Sequence, residues 1–306
     1  MELGQKIVKR IFLAIISFLI IITITFFIMN LVPGDPFMSE KATAATQAVL
    51  REKYGLDQPV YVQFAKYMWN VFHGDMGNSY VLQKGRAITE IVTESFAISM
   101  QLGVKALLVA VFLGIPMGCL AGLYKDKPAD SIIRVVSAVG ISIPGYVIAA
   151  VLLIVFSVKL GWLPTSYTKP GGSIMPIITL AIYPTCYLAR LTKASILEVL
   201  NQDYLRTTRA KGMSEFTVIF VHALKNSLIP IITYLGPLTA SILTGGFVAE
   251  SVFNVPGLGR YFVSAISSRD YTLIMGTTIF YSALIISMNL LCDILYQAVD
   301  PRIHMN

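Results

Sequence analysis

The stretch best supplied with side chains that could do chemistry is 190–226, where Glu198, Gln202, Asp203, Arg206, Arg209 and Lys211 gather in a chain otherwise poor in charge. Ile196, Leu200, Tyr204 and Thr208 recur there at four-residue spacing, with Leu197 and Leu205 adjoining. That period predicts an amphipathic helix with its charges on the remaining faces. Gly212 offers a C-cap, and Ser214 an N-cap for a second helix running through His222 to Asn226. A helix, a glycine stop and a second helix would form a rigid protrusion, a stiff charged lever with no bond made or broken. On periodicity alone, a solvated loop between helices is the favoured reading.

Residues for bond-breaking chemistry are not assembled. Histidine occurs only at His73, His222 and His304, with no HExxH and no second ligand at zinc spacing. Cys119, Cys186 and Cys292 lie in apolar stretches and form no CxxC, so neither a disulfide framework nor a metal site is expected. The sequence has no Gly-Lys dipeptide and hence no P-loop to cradle nucleotide phosphates, and no GxSxG elbow. The chain is therefore expected to be no enzyme and to bind no cofactor.

The elements that must position the lever are membrane helices. Of 306 residues, 55% are hydrophobic and 13% charged, against roughly 25% charged in soluble domains, and mean hydropathy is +0.69. Runs without Asp, Glu, Lys or Arg fall at 11–32, 106–124, 135–158, 170–189, 227–249 and 271–292. Each is long enough to cross a hydrocarbon core of about 30 Å as a helix. The first lacks a cleavage site and reads as a retained helix rather than a signal peptide. If the N-terminus is cytoplasmic, the short inside segments carry thirteen Lys and Arg and the short outside ones four, Lys159, Lys169, Arg260 and Arg269. That asymmetry places both termini inside and accounts for the net charge of +7 without nucleic acid. The expected fold is an all-α polytopic bundle of six transmembrane helices, N-in and C-in. The uncharged spans also weigh against a proton-coupled carrier, which needs a titratable group at mid-membrane.

Between the first two spans lies a polar excursion interleaving Tyr54, Tyr61, Phe64, Tyr67, Trp69 and Phe72 with charges. It is expected to form short amphipathic helices on the outer membrane surface. The division expected is 1–32 for the tail and first helix, 33–95 for this insertion, and 96–306 for a five-helix core with a coupling loop at 196–226. Lys105 either snorkels to the interface or faces a pore. Gly114, Gly118 and Gly122 make a small-xxx-small strip for close helix packing. Pro116, Pro144, Pro176, Pro184 and Pro237 interrupt spans; half fit ordinary kinks, and half fit breaks lining a transport path.

The run Asp203-Tyr204-Leu205-Arg206-Thr207-Thr208-Arg209-Ala210-Lys211-Gly212, followed by His222-Ala223-Leu224-Lys225-Asn226 and Pro230, resembles the EAA loop of ABC importer permeases of the peptide and nickel branch. Further motifs extend the resemblance over nearly the whole chain: Val32-Pro33-Gly34-Asp35-Pro36, Tyr54-Gly55-Leu56-Asp57-Gln58-Pro59, Gly140-Ile141-Ser142-Ile143-Pro144, Val255-Pro256-Gly257-Leu258-Gly259, Arg269-Asp270-Tyr271 and Asp300-Pro301-Arg302. It looks most like the oligopeptide permease of the B type. Thr208, where alanine is usual, and Lys105, where an apolar residue is common, depart from the pattern.

The resemblance implies a type I importer permease fold and a helical extracytoplasmic insertion. It also implies four sorts of partner: a second homologous permease, two ATPase subunits carrying the ATP and Mg, an extracytoplasmic binding protein, and peptide as substrate. Asp203, Tyr204, Arg206, Thr207, Arg209, Ala210, Lys211 and Gly212 would seat in an ATPase cleft as the coupling element. Ser142, Tyr146, Thr239, Ser241 and Thr244 are the expected lining of the substrate path, although hydroxyls in membrane helices more often bond their own backbone. Dipeptides, nickel or a metallophore, and glutathione are alternative cargoes. A membrane docking scaffold that moves nothing is the alternative from a different class.

Overall fold

The computed structural model describes residues 2–31, 49, 52 and 55–299. The Pro33 to Pro36 motif, Tyr54, the Asp300-Pro301-Arg302 motif and His304 lie outside them. The described residues are helical, with one isolated antiparallel bridge between Asn78 and Ala87. Their helices are α1 (Glu2–Leu31), α2 (Val60–Phe72), α3 (Ile88–Leu123), α4 (Pro128–Ser142) and α5 (Gly145–Leu152, continued by a π turn Leu153–Lys159). There follow α6 (Ile174–Leu200), α7 (Asp203–Ala210) and α8, a composite of Glu215–Thr217, a π turn Val218–Ala223 and Leu224–Ser227. The last four are α9 (Ile229–Gly245), α10 (Phe247–Val252), α11 (Leu258–Ser268) and α12 (Tyr271–Val299).

Five stretches are long and apolar enough to cross a membrane: Lys9–Leu31, Ile88–Leu123, Ile174–Leu200, Ile229–Val252 and Tyr271–Cys292. The sixth expected span is not one straight helix. Helices α4 and α5 meet at a 102° bend, with Ile143 extended (φ −82°, ψ 124°) ahead of Pro144. The proline ring excludes a helical residue before it and removes an N–H, so an apolar run that reads as continuous must break there. The expected helix through 196–208 is likewise two. It stops at Leu200, passes through an extended Gln202 (ψ 146°) and restarts at Asp203.

The chain divides into two compact units. One comprises the described residues of Met1–Ser99 and Pro256–Leu290. Its core joins Ile22, Phe26 and Met29 of α1 to Ile88, Ile91 and Val92 of α3 and to Leu273, Met275 and Ile279 of α12. Helix α2 packs Phe64, Tyr67, Met68 and Val71 against that core and leaves Tyr61, Trp69 and Phe72 exposed, as an amphipathic helix should. The other unit comprises the described residues of Met100–Val255 and Leu291–Asn306. Here Ala106 and Ala110 of α3, Ala181 and Leu188 of α6, and Ile231, Leu238 and Ile242 of α9 form the core.

The glycine strip sets how closely α3 approaches α6. A Cβ on Gly118 would lie 2.4 Å from Thr192 Cβ and 2.5 Å from the Ala189 carbonyl oxygen; on Gly114 it would lie 2.7 Å from the Thr185 carbonyl. Without side chains at these positions the two backbones pack almost directly on one another. That contact supports the helix from which the charged segment springs.

Candidate functional site

Helix α6 runs beyond its apolar stretch and carries the charged segment out on a rigid stem. At its base the ammonium of Lys193 pairs with the carboxylate of Asp130 on α4, whose side chain is sealed from solvent. The second carboxylate oxygen accepts the Asp126 N–H at 3.1 Å. Ser195 Oγ donates to the Ser227 carbonyl at 2.8 Å, tying α6 to the end of α8.

Helix α7 is held onto α8 by one leucine and one tyrosine. Leu205 is fully buried among Val199, Val218 and Ala223, with Tyr204 and Leu200 around them. The Tyr204 hydroxyl donates to the His222 carbonyl at 3.3 Å and accepts from Asn226 Nδ2 at 2.7 Å. Between the helices Gly212 takes φ +78°, a left-handed conformation that costs an L side chain about 1–2 kcal/mol and glycine nothing. Ser214 Oγ accepts the Thr217 N–H at 3.3 Å, the cap expected from sequence. Arg209 Nε reaches Glu215 Oε1 at 2.8 Å and closes the turn.

The result is an element with an inner and an outer face. Tyr204, Leu205 and Thr208 turn inward, and Thr208 Oγ1 donates to the Tyr204 carbonyl. Asp203, Arg206, Thr207, Arg209, Ala210, Lys211 and Gly212 are exposed. Of the eight expected coupling residues, then, seven share the open surface and Tyr204 anchors it from beneath. Two features did not figure among the expected site residues. Leu205 is the buried pin, and Phe216 (69% exposed) stacks on Phe220 (49%) at 4.6 Å, adding an apolar patch next to the charges. The four-residue spacing of those phenylalanines was the available signal.

Of the five expected path residues, only Thr244 and Ser241 are joined among the described residues, Thr244 Oγ1 reaching the Ser241 carbonyl of its own helix at 3.5 Å. Ser142 Oγ donates to the Ala138 carbonyl, Thr239 Oγ1 to Leu235 and Thr244 Oγ1 to Ala240, each within its own helix. Tyr146 and Ser241 are exposed, as is Lys105.

In the first unit, the loop after α2 is pinned by Asp270, ahead of α12. Its buried carboxylate accepts the Ser79 hydroxyl and the N–H groups of Tyr80, Val81 and Leu82 at 3.0–3.1 Å. Burial pushes the carboxyl up. The Ser79 hydroxyl and the three backbone donors outweigh it and hold the group below the ordinary carboxylate range.

Comparison with known proteins identifies this architecture. The family described as "Binding-protein-dependent transport system inner membrane component" matches residues 114–305, and its N-terminal counterpart matches residues 3–109. The dipeptide transport system permease protein DppB of Bacillus subtilis is 40% identical, with 99% of each chain covered. The oligopeptide transport system permease protein OppB of Haemophilus influenzae is 39% identical, with 96% of this chain and 97% of that one covered. Among solved structures, an amino acid ABC transporter (TM-score 0.58, 17% identity, 69% of this chain and 94% of that chain) shares the fold. So does the inward-facing MetNI methionine ABC transporter (TM-score 0.58, 14% identity, 69% and 97%). The chain belongs to the binding-protein-dependent transport system inner membrane components, the multi-pass permease subunits of ABC transporters in the cytoplasmic membrane.

Proposed function

We propose that this permease conducts peptides inward, driven by ATP hydrolysed on two separate P-loop subunits, with a second homologous permease completing the path and an extracytoplasmic binding protein supplying substrate. The observation that carries this reading is the two-faced element around α7. One face is bolted to the bundle by Leu205 and Tyr204, and the other offers Asp203, Arg206, Arg209 and Lys211 to a partner. On the orientation given by the positive-inside asymmetry, that face meets the cytoplasm.

Closure of the ATPase subunits would push on the charged face. Because α7 is locked to α8 and α6, the push would tilt whole helices instead of bending a loop, and so switch the bundle between outward-open and inward-open states. Specificity for cargo is expected to lie chiefly in the binding protein. Relatives named for oligopeptides and for dipeptides match this chain about equally well, which keeps dipeptides as a second cargo.

The test is uptake by proteoliposomes containing the whole complex and the binding protein. ATP-dependent accumulation of a labelled pentapeptide is expected. Accumulation of dipeptide alone would shorten the cargo, and accumulation of nickel or glutathione alone would replace it. ATP turnover stimulated by the binding protein with no cargo accumulated would favour a docking scaffold.

A further inference from the structure

Tyr183 and Tyr187 of α6 stack with ring centroids 6.2 Å apart, and Tyr187 stacks on Tyr234 of α9 at 4.4 Å, both pairs at 26°. The three rings form a short ladder across two membrane-spanning helices. Tyr183 is 46% exposed and the other two are half-buried. No hydrogen bond within the described residues involves any of the three hydroxyls, and none is sealed inside the protein. A hydroxyl left without a partner in hydrocarbon costs roughly 4–8 kcal/mol on a cyclohexane scale. Three together on a lipid-facing surface would be untenable.

Each of the two helices also carries a proline at this level. Pro184 follows Tyr183, and Pro237 lies one turn beyond Tyr234. Pro184 brings no N–H to the Leu180 carbonyl one turn earlier, and Pro237 carries no N–H of its own. Such interruptions at membrane depth belong beside protein or water. The exposed strip of α6 that bears Tyr183 and Tyr187 continues through Arg190, Ala194 and Glu198 toward the lever, so its polarity rises along the route a hydrophilic cargo would follow.

From this we infer that Tyr183, Tyr187 and Tyr234 are the cargo-contacting ladder of the translocation path, an inference that rests on the peptide reading above. Their ring faces stack against peptide bonds and side chains of any identity, and their hydroxyls donate to or accept from main-chain groups. That combination suits a cargo with a constant backbone and variable side chains.

Two measurements on the reconstituted complex test this. With the wild-type chain as background, Tyr183→Cys and Tyr187→Cys should be labelled by a membrane-impermeant thiol reagent, and transported pentapeptide should slow the labelling. In uptake assays, Tyr187→Leu should lower peptide transport about tenfold through the loss of its aromatic contacts. Tyr187→Phe should recover part of it, and ATP turnover stimulated by the binding protein should persist in both. The proposal is overturned by wild-type uptake in Tyr187→Leu, by labelling only with a bilayer-soluble reagent, or by cross-linking of the substituted cysteines to the partner permease with no protection by peptide. Failure of the wild-type complex to take up any peptide would instead overturn the cargo reading itself and this ladder with it.

Discussion

Two side chains, Asp270 and Tyr204, hold their surroundings in shape through hydrogen bonds within the chain. Asp270 gathers the loop after α2 through four donors, and Asp270→Asn exchanges a charge-accepting site for an amide that must aim its own N–H at those donors. A loss on the order of 3 kcal/mol is expected, read as a lower unfolding midpoint in detergent. The sign of its pH dependence follows from the depressed carboxyl. The Asp270 contribution is complete above the unfolded-state value near 3.9 and disappears as pH falls below it through the folded-state value. Acid titration should therefore show a stability loss below about pH 4 that is smaller in Asp270→Asn than in wild type, the remainder belonging to other paired carboxylates such as Asp130. On the lever, Tyr204→Phe removes the acceptor for Asn226 and the donor to His222 while keeping the ring. It should cost about 1 kcal/mol and lower the peptide carried per ATP, with the spans intact. Gly212 and Ser214 were legible as a stop and a cap because those roles are local. Asp130 was not: its burial and its pairing with Lys193 join residues 63 positions apart, a distance no spacing rule covers.

Each element behaves as its backbone permits. Most spans could be read from charge-free runs because lipid demands continuous apolar helix, but such runs do not mark where a helix ends. Thus α6 continues to Leu200 past its last uncharged turn, and the 135–158 run folds into a bent pair at Pro144. The glycine strip was legible as packing, although its partner, α6, was not. Gly118→Val should misplace α6 and the stem of the lever, costing about 1–3 kcal/mol. Gly145→Ala, whose added carbon meets nothing within 4 Å, should be near neutral or mildly stabilising; thermal unfolding of the two variants side by side checks the contrast. Gly212→Val also has open space around it, so its cost is conformational alone. It should leave the assembled complex stable while ATP hydrolysis continues with transport diminished.

As a whole, the chain is a multi-pass permease subunit of an ABC transporter, and on the reading proposed above its moving force comes from separate ATPase subunits. Among the described residues, the charged segment α7 is fastened to α6 and α8. The substrate path was the least legible part. Hydroxyl residues chosen by type turned back onto their own helices at Ser142, Thr239 and Thr244, whereas the tyrosine ladder exists only once α6 and α9 lie together. The most direct test of force transmission is site-specific cross-linking from Arg206→Cys and Lys211→Cys in the assembled complex during ATP turnover. The expected result is a cross-link to a P-loop subunit that arrests peptide uptake and is reversed, with uptake restored, on reduction. Cysteines at both positions that stay freely reactive with a bulky aqueous reagent throughout turnover, while peptide still accumulates, would contradict it.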